Sequence, residues 1–338
     1  MVQPLPLSAS TSYAELMERL RMARFGEFPA GSSFVSKTVK GRLYWYVQMP
    51  TRGALSRKQV YVGPDSDELR ERMAKHGDHR ADVDDRRRLV AAIVASGAPK
   101  PDRTSAEIVQ ALAEAGAFRI RALLIGTVAY QTYAAHLSVR LPVTSLATQD
   151  LDIAQDFGIA SNLDDKLEKP VLDILRGLDP RFAPVSYAFN AARTTSYALT
   201  ERYRVDILTT SRGAPRDEPS YLPTLQSDAV PLRFMDFLLR DPIETALLYG
   251  GGVLVNVPAP ARYAVHKLIV SRHRKVNPEK ALKDRAQAAQ LIDVLTQDDP
   301  FALREAYAEA RDRGEAWREA LDQAISLLPA EARTALEG

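Results

Sequence analysis

Asp150-Leu151-Asp152-Ile153 is the tract with the clearest chemical potential in this 338-residue sequence. In a strand alternate side chains share a face, so Leu151 and Ile153 point into a core while Asp150 and Asp152 stand side by side, their Cβ atoms roughly 6–7 Å apart. Two carboxylates held that way repel each other unless a cation lies between them, and hard, oxygen-seeking Mg²⁺ or Mn²⁺ suits the pair. Tyr203-Arg204-Val205-Asp206-Ile207 repeats the device, with Tyr203, Val205 and Ile207 alternating with Arg202, Arg204 and Asp206. On a neighbouring strand, Asp206 joins the pair. Three such carboxylates can hold two metal ions about 3.5–4 Å apart, one activating an attacking oxygen and one neutralising a polyphosphate leaving group. An isolated Asp-X-Asp is more often a solvated turn or strand edge; the ordered set is what points to phosphoryl or nucleotidyl transfer by in-line displacement.

Other residues could serve the same chemistry. Gly126-Thr127 follows an apolar run and precedes the helix-like VAYQTYAAHL, a setting in which backbone N–H groups and a hydroxyl can cradle phosphates. Lys267, in AVHKLIVSRHRK, either neutralises a triphosphate or sits on a solvated helix face. Arg202 and Arg204 either hold phosphates beside Asp206 or pair with surface acids. Lys283 and Asp284 fall early in a helix, where the macrodipole alone favours the acid, so a nucleotide role for Lys283 stands beside a structural one. His266 and His273 lack a nearby ligand pair for zinc and suit packing or solvent. Thr148 and Gln149 shape the approach to the metal or simply enter the strand. Gly250-Gly251-Gly252 leads into the strand-like VLVNVPAP rather than a helix, which argues against a phosphate loop.

The ordered set GTVAYQTYAAHLSVRLPVTSLATQDLDIA followed by RVDIL resembles the DNA polymerase β-like nucleotidyltransferase superfamily, whose members carry Gly-Ser, then Asp-X-Asp, then a later strand Asp. The likeness is closest to bacterial stand-alone nucleotidyltransferase-like proteins and continues through VPAPARYAVHKLIVSRHR and ALKDRAQAAQLIDVL, so that it spans Phe118 to Leu295. It implies a mixed α/β (α+β) sheet with flanking helices, Gly126 and Thr127 as the phosphate-gripping pair, Asp150 and Asp152 as metal ligands, and Asp206 as the carboxylate that helps activate an acceptor hydroxyl. It further implies two Mg²⁺ or Mn²⁺ ions and transfer of an NMP from an NTP to RNA, a protein side chain or a small molecule. The sequence is also similar to abortive-infection and toxin-antitoxin nucleotidyltransferases, whose Lys-Asp helix maps onto Lys283 and Asp284 and which would bring an antitoxin partner. A non-catalytic nucleic-acid-binding or regulatory protein on the same fold is the alternative. Two departures stand out: threonine replaces serine at 127, and the interval from Gly126 to Asp150 is longer than in minimal members.

The elements that must position these residues can be read from period and punctuation. Phe118–Ile125 and Gln149–Ala154 read as strands, Asp164–Leu178 as a helix, and Ala183–Phe189 and Ser196–Leu208 as further strands. After Pro258 the chain reads as helical, with Asn277-Pro278 and Asp299-Pro300 as helix starts, and Thr104 with Glu107 reads as a capping box. Ser33–Met49, broken at Lys40-Gly41, and Lys58–Val62 read as a small antiparallel sheet. Three parts follow: 1–115, 116–257 and a helical 258–338.

The formal charge of +2, from 45 Lys+Arg and 43 Asp+Glu, excludes a uniformly basic nucleic-acid coat and an acidic tail protein. Its distribution is uneven: from Arg19 to Lys58 there are nine Lys/Arg and the single acid Glu27. Lys37, Lys40 and Arg42 interleave there with Tyr44, Trp45 and Tyr46, a mixture suited to nucleic acid, loosely similar to the three-stranded arm-binding modules of tyrosine recombinases, or equally to a hairpin that uses its aromatics as core. With no cysteine, a disulfide scaffold, a thiolate zinc site and a cysteine nucleophile are excluded. MVQPLPLSAS has neither a charged nor an apolar leader region and no apolar run approaches about 18 residues, so the expectation is an unprocessed cytoplasmic protein with no membrane partner.

Overall fold

The structure is a computed structural model that describes residues 2–23, 33–39, 42–48, 59–142, 150–163, 165–201, 203–211, 218–274 and 277–337. Lys40, Gly41, Lys58, Thr148, Gln149 and Arg202, singled out in the sequence, lie outside the described residues. The chain begins with β1 (Gln3–Pro4), α1 (Leu7–Ala23), β2 (Ser33–Val39), β3 (Arg42–Gln48), β4 (Gln59–Pro64), α2 (Asp67–Ala95) and α3 (Arg103–Glu114). Next come β5 (Leu123–Ile125), α4 (Gly126–His136), β6 (Val139–Arg140), β7 (Asp150–Gln155), α5 (Phe157–Asn162), α6 (Val171–Leu178), β8 (Ala183–Tyr187), β9 (Asn190–Ala198) and β10 (Arg204–Thr210). The last stretch holds β11 (Ser220–Leu222), β12 (Ser227–Leu232), α7 (Met235–Leu238), β13 (Ile243–Leu247), β14 (Val253–Val257), α8 (Pro260–His273), α9 (Pro278–Asp298), α10 (Pro300–Asp312), α11 (Glu315–Ile325) and α12 (Ala330–Glu337).

This is an α+β fold. A seven-stranded mixed sheet runs β11-β12-β10-β7-β5, with β9 also on β10 and β8 on β9. Strands β7 and β10 are parallel, and β5 is antiparallel to β7. Leu151, Ile153, Val205 and Ile207 are all buried, as their alternation requires, and they join α3, α4, α6 and the C-terminal helices in one apolar core. A second cluster packs α1, through Tyr13, Leu16 and Leu20, against Val90 and Ile93 of α2 and Ala246 and Leu248. Strands β2-β3-β4 form the separate antiparallel sheet expected of the N-terminal segment.

Four sequence expectations change. Only Leu123–Ile125 of the run from Phe118 is a strand, because the amides of Arg119 and Ile120 donate back to Gly116 and that of Arg121 to Phe118, which closes local turns instead of a ladder. Ser196–Leu208 is two strands, split where Leu199 N–H donates to the Tyr203 carbonyl. The helix ending at Leu178 begins only at Val171, after Pro170, whose ring disfavours helical backbone at the residue before it. The cap of α3 is Asp102, which accepts from Ser105 N–H at 2.9 Å; Thr104 lies inside the helix and Glu107 pairs with Arg103. The caps Asn277 and Asp299 accept from Lys280 and Ala302 N–H, each at 3.0 Å, as expected of Asn-Pro and Asp-Pro starts. Among the described residues no helix is long and apolar enough to cross a membrane.

Candidate active site

With their apolar neighbours fixed inward, Asp150, Asp152 and Asp206 share the opposite face. The parallel register sets Asp206 directly beside Asp152 and Arg204 beside Asp150. Burial is the main cause that raises the Asp152 carboxyl to about 6, the charge of Asp206 adds to it, and Lys267 pulls the other way. Burial likewise raises Asp206, against a hydrogen bond from Ser196 on β9 and the nearby Arg204. Such a pair holds a proton or a cation more readily than an exposed carboxylate does.

Strand β5 delivers the phosphate-loop candidate to the same point, because Ile125 is in register with Asp152 and the chain turns at Gly126 straight into α4. Gly126 has φ +67°, and a Cβ there would lie 2.2 Å from Asp152 Oδ2. Only glycine meets both conditions. Helix α4 has no side-chain cap, so its first-turn N–H groups face the site without an intramolecular acceptor from that source. The buried Tyr263 of α8 donates to the Gly126 carbonyl at 2.9 Å, and its ring stacks on Tyr130 and meets Tyr133 edge-on, which ties the turn to the C-terminal helices.

The cations are arranged differently from the simplest expectation. Lys267 is buried and its Nζ donates to Asp284 Oδ1 at 2.6 Å; Asp284 also accepts from Arg274. Lys283 is half-buried and its ammonium is pushed down by burial and by Lys267. Arg204 is exposed on the Asp206 face. Lys280, which sequence reasoning missed, is in direct contact with the acids: it donates to Asp150 Oδ2 at 2.9 Å. A signal was present: Lys280 sits in the first turn of α9, where the helix dipole disfavours positive charge, so a lysine there asks for a local reason.

A family model described as Nucleotidyltransferase matches residues 103–312. The chain belongs to that nucleotidyltransferase family. The matched span runs from the first residue of α3 to the last of α10, leaving α1, the β2-β3-β4 sheet and α2 outside it. The crystal structure of an antigenic nucleotidyltransferase-like protein from Paracoccidioides brasiliensis is similar at 16% identity over 67% of this chain and 95% of that one, with a TM-score of 0.34. No curated protein matches the sequence.

In this nucleotidyltransferase the all-oxygen donor set and the mutual repulsion of Asp152 and Asp206 fit a hard divalent cation. Among the described residues no group of three or more His, Cys, Asp or Glu side chains is gathered as a metal cluster, and Asp150 is engaged by Lys280. Loading the site with all three acids therefore requires Lys280 to yield Asp150.

The two histidines weighed as ligands, His266 and His273, pack against neighbouring side chains. His273 is exposed and stacks on Phe234, ring centres 5.3 Å apart. His266 is buried, its Nε2 without a hydrogen-bond partner among the described residues, and burial, reinforced by Lys267, lowers it to about 3. The unfolded chain therefore takes up a proton near pH 6.5 that the folded chain refuses, so stability falls as pH drops from there towards 3. Between pH 7 and pH 5 this group should cost about 2 kcal/mol, and His266→Leu should remove that share of the slope, read from urea unfolding at both pH values.

Proposed function

We propose that this chain is a polymerase β-like enzyme that transfers a nucleoside monophosphate from an NTP to an acceptor hydroxyl and releases pyrophosphate. The observation that carries this reading is the register of Asp206 with Asp152, closed over by Gly126. Asp150, Asp152 and Asp206 would hold Mg²⁺ or Mn²⁺, two ions at full loading, which when bound supply charge neutralisation at the triphosphate and activation of the attacking oxygen. Gly126 and Thr127 would receive the phosphates at the uncapped start of α4, where N–H groups and the helix dipole favour negative charge. Lys283, Lys280 and Arg204 line the approach as cations, while Lys267, held by Asp284, would act on the phosphates as a fixed charge from behind. Asp206, alone of the three on β10, would help activate the acceptor hydroxyl. The acceptor oxygen bonds to the α-phosphorus as the bond to the bridging oxygen breaks and pyrophosphate leaves.

Incubation with each NTP labelled at the α-phosphate, Mg²⁺, and total cellular RNA, protein or metabolites tests the reading. Label should pass to one acceptor class with the wild type and not with Asp150→Ala/Asp152→Ala. The Lys280–Asp150 ion pair favours one second reading, a regulatory protein on the same fold. A wild type that binds Mg²⁺-NTP yet labels nothing would favour that second reading. Neither binding nor transfer would end both.

A further inference from the structure

The basic N-terminal sheet lies outside the span matched by the family model and takes no part in the proposed reaction. Its two faces differ. On one, Val47 is buried and Trp45 Nε1 donates to Asp65 Oδ1 at 2.8 Å, at the entry to α2. The other carries Lys37, Tyr44 and Tyr46: the register sets Lys37 opposite Tyr44, Val35 opposite Tyr46, and Tyr61 of β4 opposite Tyr46. Lys37 is exposed, with its Nζ 4.7 Å from the centre of the Tyr46 ring. Tyr44 and Tyr46, two apart on one strand, are about 6–7 Å apart, far enough for each to stack a separate base.

From this geometry we propose that the Lys37–Tyr44–Tyr46 face binds single-stranded nucleic acid. The exposed Lys37 supplies charge complementary to a phosphate backbone, whereas Arg19 and Arg21 of the same basic stretch lie on α1 and pair with Asp82 and Glu244. Aromatic rings give the sequence-tolerant stacking that an unpaired strand offers and a duplex does not. An acidic peptide would use the charge and leave the tyrosines idle. On the opposite face Val47 is buried and the Trp45 indole N–H is taken up by Asp65. This site is separate from the carboxylates, so it stands whether or not nucleic acid is the acceptor.

Fluorescence anisotropy of the full chain with a labelled single strand of about 16 nucleotides, as RNA and as DNA, beside the RNA duplex, tests it. Single strands should bind more tightly than the duplex. Tyr44→Leu/Tyr46→Leu, its melting temperature measured beside that of the wild type, should weaken binding about tenfold. Lys37→Gln, which removes the charge over the Tyr46 ring, should weaken binding and lower the slope of log affinity against log salt by about one. Arg318→Gln, an exposed charge change on α11, should leave both as they are. The proposal is overturned if the wild type binds no single strand at low salt, if the duplex binds better, or if Lys37→Gln behaves like Arg318→Gln. RNA and DNA arms that differ identify the strand without changing the site.

Discussion

Replacing Gly126 with alanine should lower nucleotidyl transfer at least about a hundredfold while leaving the protein folded. Two independent costs meet at this residue. Its φ of +67° is a left-handed conformation in which a Cβ costs about 1–2 kcal/mol, small beside the about 5–15 kcal/mol that holds a domain together. The second cost is local: the new methyl carbon would lie 2.2 Å from Asp152 Oδ2, so the carboxylate must swing away or the β5–α4 turn must retreat. Either movement displaces a metal-ligand candidate from the phosphate loop, and an error of about 1 Å in such a site is enough for the predicted loss. Strain and chemistry separate in the readout. Gly177, in α6, has open space around its missing Cβ, so Gly177→Ala should be neutral or slightly stabilising and keep full activity. A Gly126→Ala protein with wild-type kcat and KM would remove Asp152 from the reaction.

The features legible in the sequence are those whose partners lie in the same short window. Leu151 and Ile153, Val205 and Ile207 announce two buried strands, and alternation then turns Asp150, Asp152 and Asp206 to the other face without knowledge of the topology. That β7 and β10 are neighbours was a condition in the sequence and is a fact of the register. Phe118–Arg121 misled because its alternation satisfies the strand pattern while Gly116, at φ +90°, lets the end of α3 curl into turns that use the same amides. The electrostatics were least legible. Lys267 looked like a triphosphate ligand on a helix face, yet the Asp284 that neutralises it lies on α9, and its burial depends on how α8 and α9 pack. Lys280 meets Asp150 across 130 residues, a distance no local pattern spans.

Asp206→Asn should abolish transfer yet raise the melting temperature of the metal-free protein by about 2–4 °C. Asp152 and Asp206 sit in register on adjacent parallel strands, and Asp152 is held up at about 6 by burial and then by the Asp206 charge. Removing that charge leaves one carboxylate where two repelled, while the amide keeps the shape and can still bond Ser196. The gain is confined to the empty site. In the wild type, added Mg²⁺ should raise the melting temperature by binding the folded form; in Asp206→Asn that increment should shrink or vanish, because a ligand is gone. Lys280→Gln should move the metal-free protein the opposite way and by less, since it frees Asp150 to repel the other acids but loses only an exposed ion pair worth about 1 kcal/mol or less. Thermal melts of the three proteins with and without Mg²⁺, set beside label transfer, give four signs to compare. An Asp206→Asn protein less stable than the wild type without metal would mean that these carboxylates are held by something other than mutual repulsion awaiting a cation, and the metal reading would go with it.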